Sequence, residues 1–274
     1  MRILIAVDME GISGVVHWDH VTPGHAEYAR FRRLMTHDVN AAIRGVFEAG
    51  ADEVIVTDGH WDNRNILVEE LDPRARLNSG GPSPLSMVQA VDMETSGVMF
   101  IGYHARAGTP NAILDHTWSD SRVANLWING RLTGEIGLNA AVCGHFDVPV
   151  VMISGDQSAC GEAVELLGAV EVAIVKRATG RLAAECLPPE AAQKKIQEAA
   201  ARAVSRLRVG QAPSPFRVES PITVTIELVH SEMADRATLL AGARRLEGKR
   251  IEFVAEDTPS AYRLFRAAVA LAKG

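Results

Sequence analysis

Three features of the sequence predict an α/β fold. Short apolar runs, led by Ile3-Leu4-Ile5-Ala6-Val7, have the length of buried strands. A longer segment carries Tyr28, Phe31, Met35, Val39, Ala42, Ile43 and Val46 at helical spacing. First strand, helix and second strand then follow one another as a β-α-β unit, which makes the two strands parallel. The expected architecture is a mostly parallel central sheet flanked by helices, three-layered and Rossmann-like, with a smaller C-terminal α/β module.

The elements follow in order. The first strand covers residues 2–7. Residues 17–22, polar and containing Trp18, read as loop. Pro23 precedes a helix over residues 25–49, which Gly50 terminates. The second strand, 53–57, ends in Asp58-Gly59-His60. Residues 71–84, rich in Pro, Gly and Ser, read as loop, and 85–93 as a short helix. The third strand, 97–102, ends in Tyr103-His104-Ala105-Arg106, and 108–120 shows no clear period. A hairpin turns at Asn129-Gly130 and leads through Glu135 into a helix to about residue 144. A strand at 148–154, a helix at 158–167 and a strand at 171–175 follow. Pro188 and Pro189, with Glu190 in the first turn, open a helix to about residue 207. Residues 210–215 read as a linker, dividing a metal-binding α/β catalytic domain (1–210) from a smaller α/β module (211–274). That module carries strands at 222–229 and 250–255 and helices at 231–240 and 259–272.

Composition narrows the partners. The 274 residues are 47% hydrophobic and 23% charged, which is ordinary for a soluble protein. A net charge of −6 gives no reason to expect nucleic acid or an anionic membrane as partner. Cys143, Cys160 and Cys186 have no paired spacing, so neither a disulfide framework nor a thiolate zinc site is expected. Asp8 and Glu10 interrupt the first apolar run, so no signal peptide is expected there, and no run has the length of a membrane span. The expected location is cytoplasmic.

Chemistry concentrates at the strand ends. The first strand runs into Asp8-Met9-Glu10-Gly11, two carboxylates where burial makes negative charge costly unless a cation shares the site. The second ends in Asp58 and His60, the third in His104. In a parallel sheet these ends open on one edge, where such folds bind ligands. Mixed carboxylate and histidine donors without thiolate suit zinc, and less readily manganese or iron; magnesium would want nearly all oxygen. Five ligand-type residues exceed what one catalytic zinc needs, so two ions are expected, bridged by a carboxylate such as Asp8. Two close metals activate a shared water, which is hydrolase chemistry on a phosphate ester or an amide.

The motifs V-D-M-E-G-I-S-G, D-G-H, G-Y-H-A-R-A-G-T-P and G-E-I-G-L-N-A occur in that order. Together the sequence resembles the zinc-dependent D-aminopeptidase family of the DppA type, along most of its length and least in the C-terminal module. The resemblance implies two zinc ions per subunit, held by Asp8, Glu10, His60, His104 and Glu135, with His116 as the catalytic histidine. Asp58 is then left to orient a ligand histidine. The resemblance further implies removal of an N-terminal D-amino acid, such as D-alanine, from short D-amino-acid-containing peptides. It also implies a ring-based homo-oligomer, a decamer, that encloses its active sites.

Other readings compete. D-x-E-G superficially matches the D-x-D-G of aspartate-nucleophile phosphatases, but Glu10 stands where their second aspartate should be. D-G-H also suits a two-metal phosphoesterase, and another metal-dependent amidohydrolase would keep the same ligands. The non-enzymatic alternative is a peptide- or metal-binding component of a dipeptide-uptake system.

Overall fold

The computed structural model describes residues 1–273. The first half contains β1 (Arg2–Val7), α1 (Trp18–Val21), α2 (Tyr28–Glu48), β2 (Glu53–Asp58), β3 (Ala75–Asn78), β4 (Thr95–Ile101), and the hairpin β5 (Val123–Ile128) and β6 (Arg131–Thr133). Next come α3 (Glu135–His145), β7 (Val150–Asp156), α4 (Gln157–Leu167), β8 (Glu171–Gly180), β9 (Ala183–Cys186) and α5 (Pro189–Arg208). The chain closes with β10 (Ile222–Leu228), α6 (Ser231–Ala237), β11 (Arg244–Arg245), β12 (Arg250–Ala255) and α7 (Thr258–Leu271). Among the described residues no helix is long and apolar enough to cross a membrane.

The main sheet has the order β3-β2-β1-β4-β7-β8-β9 and is parallel except for the β8–β9 pair at one edge. The expected mostly parallel sheet is therefore present. Its order runs one way from β1 to β3 and the other way from β4 onward. That reversal opens a crevice between β1 and β4 at their carboxyl ends.

β1 shows why three layers form. Ile3, Ile5 and Val7 pack on one face with Phe31, Met35, Val39, Ile43 of α2 and Ile196, Ala200, Val204 of α5. Leu4 and Ala6 join the opposite core, with Ile136 and Val142 of α3 and Ala159 and Ala163 of α4. Each of the larger side chains so buried, from valine upward, contributes roughly 1.5–3 kcal/mol. β1 is buried on both faces, which is why it reads as an uninterrupted apolar run.

The second sheet is antiparallel, in the order β11-β12-β10-β5-β6. Its strand β10 pairs with β12 on one side and with β5 on the other, in the register Ile226 to Leu126. It thus draws strands from both sides of residue 210. Val224, Ile226 and Phe253 face the same core as α7 residues Tyr262 and Phe265.

Several local expectations change. Residues 17–22 contain the one-turn helix α1, which His17 caps by accepting from the Asp19 N–H. Residues 71–84 contain β3, a four-residue edge strand whose half-exposed Ala-Arg-Leu-Asn sequence carries no strong strand signal. Residues 85–93 form a single 3₁₀ turn, Ser86–Val88, because Ser86 and Ala90 both take positive φ. The strand from Glu171 runs on to Gly180 and folds back into β9.

Candidate metal centre

The chain leaves β1 and β4 through turns that lie against one another. The Asp8 N–H donates to the Ile101 carbonyl at 2.9 Å, and the Gly11 N–H to the Gly102 carbonyl at 2.7 Å. A β-carbon on Gly11 would lie 2.0 Å from the Tyr103 carbonyl oxygen; one on Gly102, at φ +74°, would lie 2.3 Å from that of Asp8. Only glycine allows this approach, which sets Asp8 and Glu10 beside His104.

The crevice gathers all five sequence-predicted ligands. Asp8 spans two imidazoles: Oδ1 is 3.2 Å from His60 Nδ1, and Oδ2 is 3.4 Å from His104 Nε2. Glu10 Oε2 is 3.1 Å from His60 Nδ1. Glu135, the first residue of α3, places Oε1 3.1 Å from His104 Nε2. Donor atoms of Asp8, Glu10 and His104 all fall within 4.8 Å of one another, as do those of His104, His116 and Glu135. Every one of these side chains is buried.

Backbone carbonyls orient the rings. His60 Nε2 faces the Val21 carbonyl at 2.8 Å, His104 Nδ1 faces that of Ala105 at 3.0 Å, and His116 Nδ1 faces that of Leu114 at 2.8 Å. A carbonyl only accepts, so each ring carries its proton on that nitrogen and, when neutral, turns a lone pair toward the carboxylates. Lone pairs and carboxylate oxygens that converge away from water repel unless a positive charge lies between them. Glu10 Oε2 and His104 Nε2 are buried and make no hydrogen bond. These orphaned atoms, with their oxygen and nitrogen donor set, fit zinc.

The titration behaviour reflects the same demand. Burial alone would lower the His60 pKa, but the Glu10 and Asp8 carboxylates outweigh it and hold the imidazole well above the ordinary histidine range. Burial likewise opposes the charge on His104, and Glu135 with Asp8 overcomes it. Asp8 is raised by burial and lowered more strongly by His104 and His60, so it sits well below the usual carboxylate range. A divalent ion would replace the protons that this cluster otherwise attracts.

Asp58 does not orient a ligand ring. Its carboxylate accepts from the backbone N–H groups of Asn65 and Ile66 and from Asn65 Nδ2, while Asn65 Nδ2 also donates to the His60 carbonyl. Asp58 shapes the loop that carries His60; the Val21 carbonyl sets the ring.

His116 comes from the segment without periodicity. Its loop is tied down by Asp115, which pairs with Arg181 at 2.9 Å and accepts from the Gly108 N–H. His116 Nε2 lies 3.8 Å from Glu135 Oε1, and Trp18 meets the His116 ring edge-on. Two residues on, the Trp118 N–H donates to Glu135 Oε1 at 2.7 Å. The centre opens into a cavity of about 330 Å³, walled by Trp18, Trp61, Trp118 and Met87, with Arg122 as its one lysine or arginine among the described residues.

Sequence reasoning missed Lys176. This β8 lysine is buried and donates to the carbonyls of Glu10, Ile12 and Val15 at 2.6, 2.9 and 2.7 Å. Burial pulls its pKa down to about 8, against the pull of Asp156 and other nearby groups. Burying an ammonium costs several kcal/mol; three charge-assisted hydrogen bonds of about 1.5–3 kcal/mol each offset that. From the other side Asp38 accepts from the N–H and the hydroxyl of Ser13, both at 2.9 Å. The only sequence signal was a lysine continuing the apolar run Val172–Val175, which reads equally as the end of a strand.

A buried carboxylate and imidazole cluster at the switch point of a parallel sheet, open to a cavity of peptide size, defines a metal-dependent hydrolase. Comparison with known proteins gives the family. Residues 1–267 match the family model Peptidase_M55, described as D-aminopeptidase, and the chain belongs to that family. It is 39% identical over 264 residues to a D-aminopeptidase of Bacillus subtilis (strain 168), covering 96% of this chain and 94% of the relative. The solved structure of the Zn-dependent D-aminopeptidase DppA from Bacillus subtilis, described as a self-compartmentalizing protease, superposes with a TM-score of 0.95 at 37% identity. That match covers 99% of this chain and 98% of the other.

Proposed function

We propose that this protein is a dinuclear zinc D-aminopeptidase that removes an N-terminal D-amino acid, of the D-alanine type, from short peptides. The observation that carries the dinuclear reading is Asp8, whose two oxygens face two different histidines. Asp8 would bridge the ions, Glu10 and His60 would hold one, and His104 and Glu135 the other. When bound, a zinc pair supplies Lewis acidity and brings the pKa of a water molecule toward neutrality.

The chain's own groups do the rest. His116 keeps its Nδ1 proton on the Leu114 carbonyl, which leaves Nε2 to take up and deliver a proton beside the centre. The tryptophan walls displace water from a bound peptide. A cavity of about 330 Å³ suits a short peptide rather than a folded chain. Arg122, which lines the cavity, would meet the free carboxylate of such a peptide. The solved relative described as self-compartmentalizing supports a ring-based homo-oligomer, for which a decamer is our expectation. The cytoplasm is our expectation for where it works.

The test is release of free amino acid from D-Ala-D-Ala and from L-Ala-L-Ala, with zinc supplied and then chelated. Chelator-sensitive cleavage of the D-peptide alone is expected. Bound zinc with no cleavage of either peptide would return the substrate to another amide, a phosphate ester or a binding role.

A further inference from the structure

Lys176 belongs to none of the motifs at the strand ends. Its ammonium has three protons, and the three carbonyls it meets account for all of them. All three carbonyls sit in one loop, residues 10–15, and the first is that of Glu10 itself. The Glu10 carboxylate, in contrast, has no hydrogen bond at Oε2 to steer it. Its aim at His60 Nδ1 therefore comes from its backbone, and Lys176 holds that backbone.

The clamp demands this side chain. A methionine of similar length would leave the carbonyls of Glu10 and Val15 without a donor, since only that of Ile12 has another, the Val15 N–H. An arginine fork is planar and does not converge three donors from one point. The opposite grip, Asp38 on Ser13, acts three residues further along and leaves the Glu10 carbonyl to Lys176 alone.

We propose that Lys176 is a positioning residue for the metal centre: by drawing in the carbonyls of Glu10, Ile12 and Val15 it fixes the Glu10 peptide, and so confers zinc affinity on the half of the centre formed by Glu10 and His60. The inference rests on the zinc reading given above, and it concerns one half of the centre only. The other half, His104 with Glu135, receives no hydrogen bond from Lys176, whose three protons go to residues 10, 12 and 15, so its ion should stay when the clamp is lost.

The experiment is a zinc titration of the metal-free protein against a chromophoric chelator. Wild type is compared with Lys176→Met and with Val204→Ala, a truncation in the core between α2 and α5. Lys176→Met should weaken one zinc by about 10–100-fold and leave the other within about threefold, while Val204→Ala loses thermal stability and keeps both. In a Glu10→Gln background Lys176→Met should add no further loss, because its effect passes through Glu10. Wild-type affinities in Lys176→Met, or an undiminished loss in the Glu10→Gln background, overturn the proposal. Should Lys176→Met not fold, Lys176→Arg is read by the same criteria. A wild-type protein that binds one zinc, still weakened by Lys176→Met, refutes the dinuclear reading and leaves this one standing. A wild-type protein that binds none overturns both.

Discussion

The imidazole of His116 lies flat against that of His104, with ring centroids 3.9 Å apart and planes within 12° of parallel. Both free nitrogens reach the same oxygen of Glu135, at 3.1 Å for His104 and 3.8 Å for His116. The stack holds His116 at the edge of the centre, at the longer of the two distances. His116→Ala should therefore lower kcat by about 10²–10⁴-fold, the scale of a lost acid–base group, and leave the zinc content unchanged. Metal analysis beside single-turnover kinetics checks this; a variant that has lost zinc would make His116 a ligand.

Asp8 carries more of the centre than any other side chain. Its two oxygens face two different histidines, so its removal leaves His60 and His104 without the carboxylate they share. Asp8→Ala should empty at least one zinc position and abolish turnover. Full occupancy by elemental analysis would refute the bridging role.

Two glycine-to-alanine changes should move stability in opposite directions. In Gly11→Ala the new methyl would fall 2.0 Å from the Tyr103 carbonyl oxygen. The turns must then part, at a cost of about 1–3 kcal/mol or more, and zinc affinity should fall with stability. Gly161, inside α4, has nothing within 4 Å of its would-be β-carbon. There alanine should stabilise by roughly 0.5–1 kcal/mol through helix propensity. Thermal melts of both variants decide it, and a neutral Gly11→Ala would show that the turns are not in contact.

Burial pushes the Asp38 carboxyl up to about 6, from 3.8 in the unfolded chain, against the hydrogen bonds from Ser13 and the charge of Lys176. The folded protein therefore holds this proton more tightly than the unfolded one. Its contribution to stability is fully present in acid and is lost as pH rises from about 4 to 6, by on the order of 3 kcal/mol. Asp38→Asn does not titrate. Wild-type stability relative to that variant should fall over this window and level off above it. Urea denaturation of both proteins at pH 4, 5, 6 and 7 measures the difference; a flat difference would mean that burial does not penalise the Asp38 charge.

What could be read from the chain was whatever is local. β1 announces itself because five consecutive apolar residues need burial on both faces, and Asp8 and Glu10 stand out because they interrupt it. The hairpin at Asn129-Gly130 is legible from its turn alone. Glu135 was legible only through its motif's resemblance to a family, because its place depends on α3 starting beside His104, a contact across 31 positions of sequence. Lys176 and Asp38 are invisible for the same reason, since their partners lie over a hundred and about twenty-five positions away. β3 escaped because a short edge strand needs little apolar character. The second sheet could not be assembled on paper because β10 finds β5 about a hundred residues upstream.

That long pairing sets an order on biosynthesis. Trp118 stands just before β5 and Glu135 just after β6, so the hairpin between them braces one wall of the centre. On the ribosome Asp8, Glu10, His60 and His104 emerge early, yet the hairpin has no neighbour in its sheet until β10 has been made. A nascent chain shorter than that carries these residues without the brace, so the wall of the centre can be completed only once the last quarter of the protein has been made.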